Sequence, residues 1–202
     1  MQLRYSPASP FVRKVLVFAH EAGLADRIEL IPTNVWSEGE ADFLRANPLG
    51  KVPTLETEHG TFIGSTLCCD YLDTLHAGRR LIPSEPRSKW PALQLHAIGD
   101  GIMEAAVARV VEVFRKPMDF LYQPNVDRQS AKIARALDHI EVRVRDIGTE
   151  PNIGTITLAC ALGYLDFRLP KIEWRRTRGA TAEWYLPFTA RRSMIATQPR
   201  LS

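Results

Sequence analysis

The stretch Asn47-Pro48-Leu49-Gly50-Lys51-Val52-Pro53-Thr54-Leu55 constrains this chain more than any other, together with Gly64-Ser65 at the head of an apolar run ending in Asp70-Tyr71-Leu72. A short strand is entered through Val52-Pro53, and a helix starts soon after it. From spacing alone the X-Pro bond has two readings. A cis bond in a tight turn points the Val52 N–H and C=O outward, where an extended small peptide can pair with them like an added strand. Alternatively Pro53 merely starts an edge strand, where its missing N–H is harmless.

Around that loop the chain alternates in character. Residues 2–5 read as a strand, and residues 11–22 as a helix with Val12, Val15, Leu16 and Ala19 on one face and Gly23 ending it. A second strand is predicted over 27–32, a short helix over 41–46, strands over 52–56 and 61–63 around a His59-Gly60 turn, and a helix over 65–75. The order βαβαββα, with parallel first strands and a closing hairpin, is the thioredoxin-like pattern. A breaker-rich run including Gly78, Pro83 and Pro86 marks a linker over 77–88. Beyond it, helices are predicted over 90–115, 126–147, 153–169 and 180–190. The expected architecture is an α/β thioredoxin-like domain over 1–76 and an all-helical domain over 89–202. Ala159-Cys160-Ala161-Leu162-Gly163-Tyr164-Leu165 is apolar nearly all round, which places its helix at the centre of the second domain.

The composition supports this layout, since 202 residues with 45% apolar content supply cores for two modest domains. The balance of 26 basic against 23 acidic residues gives a net charge of +3, which marks no surface for nucleic acid or membrane but suits a small anion. No apolar run approaches the roughly 20 residues that span a bilayer, and a soluble, cytoplasmic protein is expected. Cys68, Cys69 and Cys160 lack the spacing of a zinc site or a disulfide framework and read as small apolar residues on buried helix faces. No metal is expected.

Three stretches, YSPASPFVRKV, NPLGKVPTL with the following GSTLCCDYLD, and PNIGTITLACALGYLDFRLP, together resemble the glutathione transferase family in order, spacing and domain layout. The resemblance implies a cis bond before Pro53, glutathione as co-substrate, and a homodimer. It also implies that Val52 pairs with the cysteinyl backbone of glutathione and that Lys51 meets its glycyl carboxylate. Ser65, at a helix start, matches the residue that binds the γ-glutamyl carboxylate, and its bare-sequence role is a cap. Gly64 departs from the family, where an acidic residue commonly precedes that serine and meets the γ-glutamyl amino group.

Ser9-Pro10-Phe11 stands where cysteine-type relatives carry Cys-Pro-Phe. Ser9 reads as an N-cap with Pro10 at the first helical position, and by resemblance its hydroxyl donates to the glutathione sulfur and favours the thiolate. Tyr5 and Ser6 are its rivals, and Arg13 reads as a solvated residue or an aid to anion binding. Trp36 and the 37–40 loop are expected to close over the same end. Candidate walls of a hydrophobic electrophile pocket are Phe11, Ile102, Met103 and Val107, with Trp174 and Tyr185 further along. Asn152 caps the central helix, but Thr155 offers no carboxylate to complete a capping box. The alternative function is a noncatalytic binding or structural protein with weakened glutathione affinity. A thiol-disulfide oxidoreductase would need a cysteine where Ser9 stands.

Overall fold

Leu3 and Leu55, both fully buried, sit opposite each other across two neighbouring strands and anchor a four-stranded sheet. The sheet runs β2-β1-β3-β4, with β1 (Gln2–Tyr5), β2 (Glu29–Pro32), β3 (Thr54–Thr57) and β4 (Gly60–Ile63). β1 pairs parallel with β2, and β3 pairs antiparallel with both β1 and β4. These elements come from a computed structural model that describes residues 1–36, 41–114 and 117–201. The βαβαββα order predicted from sequence is the order found, with α1 (Pro10–Glu21), α2 (Ala41–Ala46) and α3 (Ser65–Asp73) as its helices.

The chain divides into two compact units, Met1–Lys89 with Arg192–Ser202, and Trp90–Arg191. In the first, α1 packs on α3, and α3 lies along β3 and β4. Val12, Val15, Phe18 and Ala19 of α1 are buried with Cys68, Cys69 and Leu72 of α3. Their recurrence every three or four residues gives each helix one apolar stripe. The short helix α9 (Arg192–Ala196) packs on α1. Sequence order assigned residues 192–202 to the helical domain, whereas they group with the thioredoxin-like unit.

The breaker-rich segment after α3 is held by one side chain. The fully buried Asp73 carboxylate accepts hydrogen bonds from Arg80 Nε at 2.7 Å, Leu81 N at 2.8 Å and Ile82 N at 3.1 Å, and it faces His76 Nε2 at 3.1 Å. The part of the predicted linker next to α3 is therefore fastened back on the end of that helix.

The second unit is helical, built from α4 (Pro86–Phe114, which starts in the first unit), α5 (Gln123–Glu141), α6 (Ile153–Arg168), α7 (Trp174–Thr177) and α8 (Gly179–Thr189). α6 is buried from Ile153 through Leu165, as its all-round apolar sequence predicts. Gly154 lets α4 approach, because a Cβ there would lie 2.4 Å from the Ala92 carbonyl. The capping box of α6 is complete: Asn152 Oδ1 accepts from Gly154 N and Thr155 N, and Thr155 Oγ1 accepts from Asn152 N at 2.9 Å. A hydroxyl thus does the work for which the sequence reading sought a carboxylate. The helix predicted over 126–147 ends at Glu141, with a tight turn at Val144–Asp146 beyond it.

Glu141 serves as the cap that α8 lacks in its own sequence. Its carboxylate accepts from Ala180 N at 3.0 Å, Thr181 N at 2.8 Å and Thr181 Oγ1 at 2.6 Å. Partial burial pushes this carboxyl up, but the Thr181 and Ala180 hydrogen bonds and the Arg178 charge outweigh it, leaving the group below its ordinary value. The stability it contributes is therefore complete above the ordinary carboxylate pKa and is lost as pH falls through the depressed value. Glu141→Gln is expected to cost about 1 kcal/mol at neutral pH. Urea unfolding of both proteins across the acid range should show that difference shrinking as pH falls.

Candidate functional site

Strand register brings the sequence motifs of the first unit to one end of the sheet. Arg4 pairs with Thr54, and Thr54 with Ile63, so the end of β1, the start of β3 and the end of β4 lie side by side. The turn to Ser9 leaves from the first, Val52-Pro53 enters the second, and Gly64-Ser65 leaves the third. The Gly64 N–H donates to the Pro53 carbonyl at 3.3 Å, which ties the second motif to the third. The Val52-Pro53 bond is cis.

The loop before that bond is organised by Asn47, fully buried. Its Nδ2 donates to the Lys51 carbonyl and to Thr54 Oγ1, each at 2.8 Å, while its Oδ1 accepts from Leu49 N at 2.9 Å. Thr54 Oγ1 donates to the same Lys51 carbonyl at 2.9 Å. These bonds fix the loop without using the Val52 N–H or C=O, and the Lys51 side chain stays exposed. The sequence reading gave Asn47 no role. An Asn within a Pro- and Gly-containing loop is the available signal, because its side chain mimics a backbone turn.

Ser9 is the N-cap of α1, and its Oγ accepts from Val12 N at 3.3 Å. Accepting uses an oxygen lone pair and leaves the hydroxyl proton able to donate elsewhere. The turn before it is closed by Ser9 N donating to the Ser6 carbonyl at 3.1 Å. Tyr5, Ser6 and Phe11 are all half-buried around this turn. Arg13, read from sequence as solvated or anion-binding, is buried, and its Nη2 donates to the Met194 carbonyl at 3.1 Å.

At α3 the structure corrects one expectation. Ser65 is the first helical residue, Gly64 is the N-cap, and no side chain caps the helix. A helix start without a side-chain cap, and with its dipole positive, suits a carboxylate. Ser65 itself is buried, at 6% exposure. Gly64 has φ 86° and ψ 145°, close to a region that glycine populates far more readily than other residues. Here the absence of an acidic side chain goes with a backbone shape suited to glycine.

The three cysteines lie away from the Ser9 position in the sequence, on α3 and α6. Cys68, Cys69 and Cys160 are free and buried, and burial pushes the Cys68 thiol up to about 12. Of the electrophile-pocket candidates in the helical unit, Ile102 and Met103 are buried and Val107 is half-buried; Trp174 and Tyr185 are buried with ring centroids 6.0 Å apart. The 37–40 loop lies outside the described residues.

Comparison with known proteins fits this geometry. Residues 8–75 match the model of the glutathione S-transferase N-terminal domain, and residues 123–186 that of the C-terminal domain. The uncharacterized GST-like protein YibF of Escherichia coli K12 is 34% identical over 204 residues, covering 98% of each chain. The chain belongs to the glutathione transferase family. Among solved structures, a glutathione transferase family member from Pseudomonas fluorescens Pf-5 with bound glutathione superposes with a TM-score of 0.94 at 39% identity, covering 99% of each chain. A glutathione S-transferase from Methylobacillus flagellatus KT with glutathione bound gives 0.90 at 28% identity, covering 98% of this chain and 99% of the other. The N-terminal match, residues 8–75, includes Ser9, Val52-Pro53 and Gly64-Ser65. Among the described residues no helix is long and apolar enough to cross a membrane, and no cluster of His, Cys, Asp and Glu could hold a metal ion.

Proposed function

We propose that this protein binds glutathione at the end of the thioredoxin-like sheet and activates its thiol for conjugation to a hydrophobic electrophile. The observation that carries the reading is that the end of β1, which leads to the Ser9 turn, lies beside the start of β3 at Val52-Pro53 and the end of β4 at Gly64-Ser65, with the Gly64 N–H bonded to the Pro53 carbonyl. Relatives crystallised with glutathione support it. Glutathione lies extended, its cysteinyl backbone paired with Val52 and its γ-glutamyl carboxylate at the start of α3 against Ser65. Lys51 is placed to meet the glycyl carboxylate.

The sulfur then faces Ser9 at the start of α1. The hydroxyl donates to the thiolate, and the helix dipole adds to its stabilisation, lowering the thiol pKa from about 8.5 toward neutrality. The thiol proton leaves to solvent, the sulfur pair forms a bond to the electrophilic carbon, and the displaced group departs with the pair of the bond that breaks. Phe11, half-buried two residues after Ser9, is the apolar candidate of the first unit for contact with the electrophile. The reading includes a homodimer working in the cytoplasm, both from family resemblance.

Gly64 favours a second reading, a glutathione-binding or structural protein without turnover. Without an acidic side chain, a charge-assisted hydrogen bond of about 1.5–3 kcal/mol to the γ-glutamyl amino group is absent. Incubation with glutathione and a hydrophobic aryl halide, followed by mass spectrometry of the thioether, separates the two. Product forming faster than in protein-free solution is the expected result. Glutathione binding without any acceleration across a panel of electrophiles would favour the second reading.

A further inference from the structure

Residues 192–200 follow the helical unit in sequence yet belong to the thioredoxin-like unit, and their fastenings run along α1 to the turn that carries Ser9. Ser193 Oγ donates to Glu21 at the last residue of α1. Arg13 Nη2 donates to the Met194 carbonyl, and the Arg200 N–H donates to the Pro7 carbonyl at 3.3 Å. Pro7 lies inside the turn closed by Ser9 N and the Ser6 carbonyl. The last bond therefore holds the backbone just ahead of the proposed sulfur-binding hydroxyl.

A helix as short as α9 has too few internal bonds to persist alone, and the carbonyls of its last turns need outside partners. Arg13 supplies one from a side chain only 8% exposed, with the added benefit of a cation near a helix C-terminus. The arrangement is not optimised for stability, because Arg13 Nε is buried without a partner among the described residues. Arg13 also follows Ser9 by one helical turn, and its backbone N–H bonds to the Ser9 carbonyl at 3.0 Å. One residue thus joins the Ser9 end of α1 to α9.

We propose that residues 192–200 form a strap that holds the Ser9 turn in its glutathione-binding geometry, with Arg13 as the positioning residue that fastens α9 and Arg200 as the tie to Pro7. The proposal rests on the reading of Ser9 as the residue facing the glutathione sulfur. Truncation after Gln198 removes the Pro7 tie and leaves α9 in place. Arg13→Met removes the fastening of α9 while keeping an apolar stem. Loss of one such hydrogen bond corresponds to about a 2- to 10-fold change in local opening.

The test compares the full chain with both variants by amide hydrogen exchange without ligand, calorimetric titration with glutathione, and ultraviolet titration of the bound thiolate. In both variants, exchange of the Ser9 and Val12 amides is expected to rise about 2- to 10-fold. Glutathione affinity should fall by a comparable factor, and the bound thiol should ionise at higher pH. Unchanged exchange at Ser9 and Val12 would overturn the strap. So would a general rise across the whole first unit with an unshifted thiol titration, since that is the mark of a merely structural contact. If the full chain binds no glutathione, the reading of the site fails, and exchange at Ser9 and Val12 still decides whether the strap holds the turn.

Discussion

Ser9→Ala is expected to lower kcat/KM for glutathione conjugation by about 10- to 100-fold, the loss expected from a hydrogen bond to a charged group worth about 1.5–3 kcal/mol. The proposed bond is stronger to the thiolate than to the thiol, so its removal raises the bound thiol pKa. The rise of rate with pH should move upward by about 1–2 units, at 1.36 kcal/mol per unit. The same substitution removes the N-cap contact to Val12 N and costs about 1 kcal/mol of stability. Ser9→Thr, which retains a hydroxyl and a cap, is the control for that second effect. Activity is measured in the thioether assay across pH. Retained activity and an unmoved profile in Ser9→Ala, with loss in Tyr5→Phe or Ser6→Ala, would transfer the role to one of its rivals.

Asp73→Ala carries the largest expected effect on stability, about 3 kcal/mol. Its carboxylate is wholly buried and meets two backbone amides, a guanidinium and an imidazole. Removing one partner of a buried charged network leaves the others desolvated and unpaired. Arg80 is half-exposed and can recover water, which keeps the figure at the lower end of the range for such losses. The amides of Leu81 and Ile82 have less freedom, since Leu81 is buried. Against a total of about 5–15 kcal/mol for a folded protein this is a large fraction. Urea unfolding should show the midpoint falling sharply, with Asp73→Asn intermediate because it keeps an acceptor. A midpoint within error of the parent would mean that the linker is held by other contacts.

How much of this was legible in the sequence follows from how local each signal is. The strands and helices of the first unit were readable because alternation, helical spacing and breakers such as Gly23 act within a few residues. The all-round apolar stretch of α6 announced its own burial. The adjacency of the strand ends at the Ser9 turn, Val52-Pro53 and Gly64-Ser65 was accessible only through family resemblance, since register between strands is a long-range property. Asp73 was missed because an acidic residue near a helix end looks solvated until the chain returns upon it. Glu141 and Arg13 were missed for the same reason: each satisfies the end of a helix distant in sequence, α8 and α9 respectively. α9 was assigned by chain order, which carries no information about a five-residue helix whose stability comes from packing. Thr155 shows the complementary error, in which a residue type was set aside although its hydroxyl satisfies the same amide.

The central claim is that this end of the sheet is a working glutathione site despite Gly64. Calorimetric titration of glutathione into the purified protein, with Ser65→Ala alongside, tests it most directly. Saturable binding in the millimolar range or tighter is expected, weakened about 10-fold in Ser65→Ala on the scale of a hydrogen bond to a carboxylate. Absence of binding to the parent protein, or equal affinity in the two, would contradict it.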